Sequence, residues 1–391
     1  SGAWNAHEEK FFSNLTSVLS HFTLKASYSL TADRGPADVT NSQAIITSYS
    51  PYRPFTSIQE SGLYIKELEN SELTYEKKHE LNIGADMGFL NNRINLAVDW
   101  YKRNNYDLIG IVNTQGAGGQ ILKYANIASM KSHGIEFTLS TKNIKTKDFN
   151  WNTDFIFSNA KNEVTDLKQN ANVMELISGN GFAKQGYPVR GLFSIPFVGL
   201  DKDGIPVIIN EKGEATSTDI NFQERQNTGF LKYEGPTDPT ITGSLGNMFS
   251  YKGFRLNLFI TYSFGNVIRL NPVFKAYYSD LTAMTREFKN RWTLPGDETK
   301  TNVPAILSKR MYDSNEDLKY AYNAYNYSTE RIAKGDFIRL KEISLAYDFP
   351  KAWINPLKLT DLSLKVQATN LFLIYADDKL NGQDPEFFNA G

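Results

Sequence analysis

Period-two alternation along almost the whole chain, a regular succession of short and long connections, and no apolar run of the ~20 residues that a spanning helix needs predict an all-β fold, an antiparallel transmembrane β-barrel. The stretch from 81 to 103 shows the alternation. Leu81, Ile83, Ala85, Met87 and Phe89 share one parity, and Asn82, Gly84, Asp86 and Gly88 the other. After Asn91 and Asn92, Ile94, Leu96, Val98 and Trp100 alternate with Asn95, Ala97, Asp99 and Tyr101. Successive strand residues point to opposite faces, so each such segment has one apolar and one wet face.

The same pattern recurs in order along the chain. Phe22, Leu24, Ala26, Tyr28 and Leu30 alternate with Thr23, Lys25, Ser27 and Ser29. Ile135, Phe137 and Leu139 oppose Glu136, Thr138 and Ser140, and Trp151, Phe155 and Phe157 oppose Asn150, Asn152 and Asp154. Phe254, Leu256, Leu258, Ile260, Tyr262 and Phe264 form the longest run. Ile343, Leu345, Tyr347 and Phe349 follow, then Leu362, Leu364, Val366 and Ala368. Short hairpin connections are expected at "LNNR" (90 to 93), "KTKD" (145 to 148), "SYKG" (250 to 253) and the longer "PKAWINPLKL" (350 to 359). Long ones are expected at 31 to 72, 104 to 123, 159 to 188 and 266 to 334. Outer-membrane barrels sort their connections in this way, with short periplasmic turns and long extracellular loops. In hydrocarbon every backbone N–H and C=O must be paired within the protein, so a sheet survives there only when closed. A soluble antiparallel sandwich produces the same alternation, and the two readings differ only in what the apolar face touches.

Composition narrows the field. Formal net charge is −1, from 42 basic and 43 acidic residues, so no overall field favours nucleic acid. No cysteine is present, which removes disulfides, thiolate metal sites and cysteine nucleophiles. The 21 tyrosines and 25 phenylalanines are strand formers that also populate membrane interfaces. The start "SGAWNAHEEKFF" lacks the basic and apolar regions of a signal peptide, which leads us to expect a mature or internal piece of an envelope protein.

The segment "LTYEKKHELNIGADMGFLNNRINLAVDWYKRNNYDLIG" (73 to 110) resembles one typical of SusC/RagA-like TonB-dependent transporters. Its Tyr75-Glu76 pair, Asn82-x-Gly84-x-Asp86, Asn92-Arg93 and Asp99-Trp100-Tyr101 carry the likeness. Further matches follow in the family's order: "MKSHGIEFTLS" (130 to 140), "VGLDKDGIPVIINEKGE" (198 to 214), "RWTLPGDETKTNVP" (291 to 304), "GDFIRLKEISLAYDFP" (335 to 350), "TNLF" (369 to 372) and "GQDPE" (382 to 386). The resemblance implies a 22-stranded barrel with an internal plug and a TonB box. About ten strands are legible here, so residues 1–391 are expected to form the C-terminal portion of such a barrel, about half of its wall, with plug and N-terminal strands not in this chain. The function implied is active import of oligosaccharides or peptides across the outer membrane, with a SusD-like surface lipoprotein as lid and TonB as the source of energy. Outer-membrane lipid is a further implied partner, and a dimer of transporter–lipoprotein pairs the implied assembly. A passive porin or structural barrel, and a soluble carbohydrate-binding β-sandwich, are the alternatives.

Catalytic and metal motifs are missing from the sequence, with no phosphate loop, zinc helix or nucleophile elbow. Gly116, Gly118 and Gly119, like Gly179, Gly181 and Gly186, lack dinucleotide spacing. Asp201, Asp203 and Gly204 are spaced for a tight turn, since a calcium loop places its glycine sixth. His7, His21, His79 and His133 lack ligand spacing. No catalytic residue, metal site or cofactor is therefore assigned, and no enzymatic activity.

Candidate ligand contacts fall in the 266 to 334 loop. Tyr277, Leu281, Met284, Phe288 and Trp292 predict a short amphipathic helix that would pack onto the loop or rim. Tyr320, Tyr322, Tyr325 and Tyr327, with Asn323 and Asn326, lie in a polar stretch where they could stack on sugars or contact a peptide, or line an interface. Trp100, Tyr101, Trp151, Tyr251, Tyr262, Tyr347 and Trp353 fit interfacial belts. By parity Asp86, Asp99, Asp154, Arg255, Lys365 and Gln367 are assigned to the lumen, where plug contacts are favoured over solute, and Phe254, Leu256, Leu258 and Ile260 to lipid.

Overall fold

A computed structural model describes residues 1–15, 18–35, 43–51, 61–67, 69–113, 122–273 and 285–386. Its main element is one ten-stranded antiparallel sheet in which every strand pairs with the next along the chain. We number these β1 (Gly2–Asn5), β2 (Leu19–Asp33), β3 (Glu76–Phe89), β4 (Ile94–Asn113), β5 (Leu122–Lys145), β6 (Phe149–Leu167), β7 (Ile241–Tyr251), β8 (Phe254–Phe264), β9 (Phe337–Asp348) and β10 (Ser363–Ala376). A meander of this kind puts successive connections at opposite ends of the sheet. At one end lie the 90–93, 146–148 and 252–253 turns and the 349–362 connection, and at the other the 34–75, 114–121, 168–240 and 265–336 connections.

The tight turns take left-handed backbone, supplied in part by Asn and Gly, which tolerate it. Asn91 and Asn92 have φ of 56° and 58°, and the two-residue β7–β8 turn has Lys252 at 43° and Gly253 at 91°. A side chain at Gly253 would also press against the Asp348 carbonyl and the Tyr347 ring.

Register keeps the parities together across the sheet. Phe22, Met87, Leu96, Leu139 and Phe155 meet as successive cross-strand partners. Leu245, Ile260 and Leu340 continue that face. On the same face, Phe254, Leu256 and Leu258 lie opposite Tyr347, Leu345 and Ile343. A one-residue slip anywhere would turn a strand's apolar set to the wet face, so the shared parity specifies the pairing. No second sheet covers this face among the described residues: Phe254 is 49% exposed, Leu345 47% and Val366 68%. The interdigitated dry centre of a sandwich is absent there, and the sheet is the wall of a barrel.

Aromatic side chains gather on that face near both ends of the strands. Toward the short turns, Trp151 stacks on Phe249 at 5.6 Å, Phe254 lies 4.4 Å from Tyr347, and Phe349 joins Tyr347 to Trp353. Toward the long connections, Tyr28, His79 and Tyr106 form one cluster, and Tyr262, Phe264 and Tyr375 another. Tyr101 departs from the expected belt. It lies opposite Gly134 on the polar face, is 8% exposed, and carries the Arg103 guanidinium 4.1 Å above its ring.

One expected loop is shorter than the sequence pattern suggested, and another, reaching from 168 to 240, is far longer. Strands β4, β5 and β6 have 20, 24 and 19 residues, so the 104–123 loop shrinks to 114–121 and the 159–188 loop begins only after Leu167. At about 3.3 Å per residue such strands reach well beyond the ~10 residues that cross a bilayer. The backbone ladder does not depend on an apolar parity, so "RNNYD" breaks the pattern but not the strand. The glycines Gly116, Gly118 and Gly119 lie outside the described residues.

Candidate functional site in the long loops

The buried core of the molecule is in the connections. Among the described residues, none of the largest fully buried side chains, including Tyr322, Tyr325, Phe193, Leu176, Ile177 and Ile195, belongs to a wall strand. The 168–240 connection starts with a helix, Val173–Ile177, because Asn172 and Glu175 form a reciprocal capping box at 2.7 Å each way. Its Val173, Leu176 and Ile177 meet Phe193, Ile195, Ile208 and Leu231 in one cluster.

The 265–336 connection completes that cluster with Ala324. Ile195 and Ser328 form a parallel bridge, with Ile195 N donating to Tyr327 O at 3.1 Å and Thr329 N to Ile195 O at 2.9 Å. Arg269 bridges the two connections. Its guanidinium donates to Phe193 O at 2.6 Å, Ser194 Oγ at 3.3 Å and Ser328 O at 3.2 Å, and lies over the Tyr327 ring. Burial pushes its pKa down to about 9, which leaves it charged at neutral pH. Gly204, at φ 75°, sits directly beneath Trp292, where any side chain would collide with the indole. The two connections thus form a single folded canopy at one end of the wall.

The predicted tyrosine cluster lies on a helix, Leu318–Asn326. Tyr322 and Tyr325 are each 1% exposed, and burial raises both phenol pKa values. Asn326 is 7% exposed and accepts from Val273 N at 3.1 Å. The helix turns Tyr325 against Phe197 and Asn326 against Val273, and all three are buried in the canopy, with Tyr325 also bordering a cleft. Tyr327 is half-buried under Arg269. Only Tyr320, 41% exposed, and the half-buried Asn323 face outward. The amphipathic helix expected through Tyr277, Leu281 and Met284 lies outside the described residues. Its end is a 3-10 turn, Arg286–Asn290, and Trp292 lies beyond that turn with its indole donating to Glu298 at 3.0 Å.

Beside the Leu318–Asn326 helix opens a cleft of about 570 Å³, lined by Glu287, Arg291, Lys300, Tyr325, Arg331 and Lys379 among others. Arg331, 3% exposed, forms its floor, pairing with Glu287 at 2.5 Å and donating to Asn271 O at 2.7 Å. Asp297 closes a turn by accepting from Leu294 N and Thr293 Oγ1 at 3.0 Å each. Those donors, the Leu294 N–H first and then the Lys300 ammonium, hold its carboxyl down at about 2. A smaller cleft of about 250 Å³ shares Glu287 and Arg331 and runs along Leu380, Gly382 and Gln383.

The "GQDPE" segment forms the other side. Leu380 is buried with Ile268, Leu270 and Ala333. Gln383 accepts from Asn271 N at 2.9 Å and donates to Arg269 O at 3.3 Å. Asp384 and Glu386 pair with Arg339 at 2.5 and 2.8 Å, and Glu386 also with Lys341 at 3.1 Å. Sequence reading passed over Arg269, Arg331 and Arg339. The available signal was an arginine flanked by apolar residues, as in "VIRL" (267 to 270) and "FIRL" (337 to 340), since such a guanidinium is carried into the interior with its neighbours.

All six residues assigned to the lumen share one face of the sheet, opposite Phe254, Leu256, Leu258 and Ile260, but they do not converge. Asp86 pairs with Lys25, Arg255 with Asp348 at 2.7 Å and Lys365 with Glu342 at 4.0 Å, while Asp154 accepts from Ser140 at 2.6 Å. Asp99 faces Gly84, and Gln367 lies opposite Ser344. Asp201 accepts from Asp203 N and Ile205 N at 2.9 Å each, the tight turn its spacing predicts. No group of three metal-ligating side chains occurs among the described residues.

A wall of consecutive antiparallel strands, apolar on one face and capped at one end by folded loops, is the architecture of a TonB-dependent receptor barrel. Among solved structures the RagAB peptide transporter matches all of this chain and 40% of its own at 24% identity, with a TM-score of 0.75, and its open-open state matches with 0.74. The chain resembles SusC-like TonB-dependent receptors over nearly its full length. Receptor P3 of Formosa agariphila is 25% identical across 98% of this chain and 37% of its own, and SusC of Bacteroides thetaiotaomicron is 25% identical over the same shares. The chain spans about two-fifths of the length of these relatives. No protein-family model matches it.

Proposed function

We propose that the chain is the C-terminal part of the barrel of an outer-membrane importer that takes up oligosaccharides, with TonB supplying energy and a SusD-like lipoprotein covering the canopy. The carrying observation is the uncovered apolar face bounded by aromatic clusters at both ends, which fits lipid between two interfaces. The opposite face, with Asp86, Asp99, Asp154, Arg255, Lys365 and Gln367, would line the lumen and contact the plug. The residues perform no covalent chemistry. They supply wall, lining and a folded extracellular roof.

Peptide is the second reading of the substrate, favoured by the likeness to the RagAB peptide transporter. Uptake of labelled oligosaccharides and peptides by cells with and without the gene tests both. Import should stop when the proton gradient is collapsed, whereas uptake that survives collapse identifies a passive porin.

A further inference from the structure

The paired clefts beside the Leu318–Asn326 helix hold more cations than their acids neutralise. Glu287 is committed to Arg331, and Asp297 accepts from Lys300 at 3.2 Å as well as from its own turn. Glu330 is the remaining acid on the lining, and it has no ion pair among the described residues. Against it stand Arg286, Arg291 and Lys379, each lining one of the clefts and each without an ion pair among the described residues. Arg291 donates to Phe288 O at 3.3 Å and lies 5.0 Å over the Phe288 ring, an arrangement that orients the guanidinium without neutralising it. Two buried donors, Arg331 Nε on the lining of both clefts and Thr285 Oγ1 on that of the smaller one, also lack hydrogen-bond partners among the described residues. A buried donor left unpaired is costly, and a bound acceptor removes that cost.

We propose that this double cleft binds an extended chain carrying a carboxylate, held by Arg291 and Lys379, with the chain running over the Arg331–Glu287 floor toward Gln383. This rests on the import reading and names the chemistry of its cargo. A uronate sugar and a peptide terminus both present that group. Arg provides two parallel donors to a carboxylate and Lys a point charge, so the pair supplies both orientation and attraction.

The test is calorimetric titration of the detergent-purified full transporter with tetragalacturonate and its methyl ester, and with N-acetyl-tetraalanine and its C-terminal amide. Within one pair the acid should bind about tenfold tighter than its neutral partner, the scale of one charge-assisted hydrogen bond, and the preference should fall with added salt. Arg291→Gln with Lys379→Gln should abolish the preference for the acid. Arg291→Lys should keep part of it, and heat-dependent gel mobility establishes that each variant is folded. The pair that responds identifies sugar or peptide as the source. Equal binding of acid and neutral probes, no binding of either acid, or a preference that survives the double substitution overturns the site. Because titration needs no energy source, a preference without energised uptake sinks the import reading alone, and uptake without a preference sinks the site alone.

Discussion

The wall and the canopy use apolar residues in opposite ways. In the wall, Leu364 is 62% exposed, Val366 68% and Phe372 57%, while in the canopy Phe193, Leu176 and Ile195 are 0 to 1% exposed. A water-soluble domain could not leave a continuous face of such residues uncovered across ten strands. The canopy is built like one nevertheless, with a capped helix, a closed core and a buried arginine that holds two connections together. One chain therefore follows two packing rules, and the change of rule falls between the wall and the canopy.

The largest effect expected from separating the two regions is at Phe193. Phe193→Ala should destabilise the canopy by about 3 to 5 kcal/mol, the usual cost of emptying an aromatic site in a core. Limited proteolysis should then cut within 168–240 while the heat-modifiable barrel band persists. Loss of both together would show that wall and canopy unfold as one unit, and the contrast would fail. Next comes Leu258→Arg on the exposed apolar face, which should cost on the order of 2 to 4 kcal/mol at mid-bilayer and reduce the membrane-inserted fraction. Asn257→Arg, one residue away on the polar face, should insert normally, and the reverse outcome would exchange lipid and lumen faces.

A smaller effect is expected at Asn172. Asn172→Ala removes one half of the capping box and should cost about 1 kcal/mol, read as faster hydrogen exchange confined to the Val173–Ile177 helix. The smallest is the acid response of the 293–300 turn. The folded-state pKa of Asp297 is depressed from 3.8 to about 2, so its contribution is complete above 3.8 and is lost as pH falls toward 2. Backbone amide exchange of Leu294 should rise only in that window, and Asp297→Asn should remove the dependence.

The two regions also differed in how well their sequences could be read. For the wall, a strand with one apolar and one polar face must alternate, so Leu256, Leu258 and Ile260 declare their face within a few residues. The canopy offers no such period. Tyr322 and Tyr325 sit among asparagines and read as exposed, yet the helix they lie on buries both and turns Tyr325 against Phe197, from a segment remote in the chain. The GQDPE run was visible as a motif, but not that Arg339 and Lys341 would clamp its two acids.

By itself, then, the sequence determined the strands, their two faces and the ends at which they turn, because each follows from the local environment of consecutive residues. Only the tertiary structure decided that the 168–240 and 265–336 connections share a core, that Arg269 bridges them, and that Arg291 and Lys379 open onto one cleft. Those facts depend on contacts between segments far apart in the chain, which no local period records.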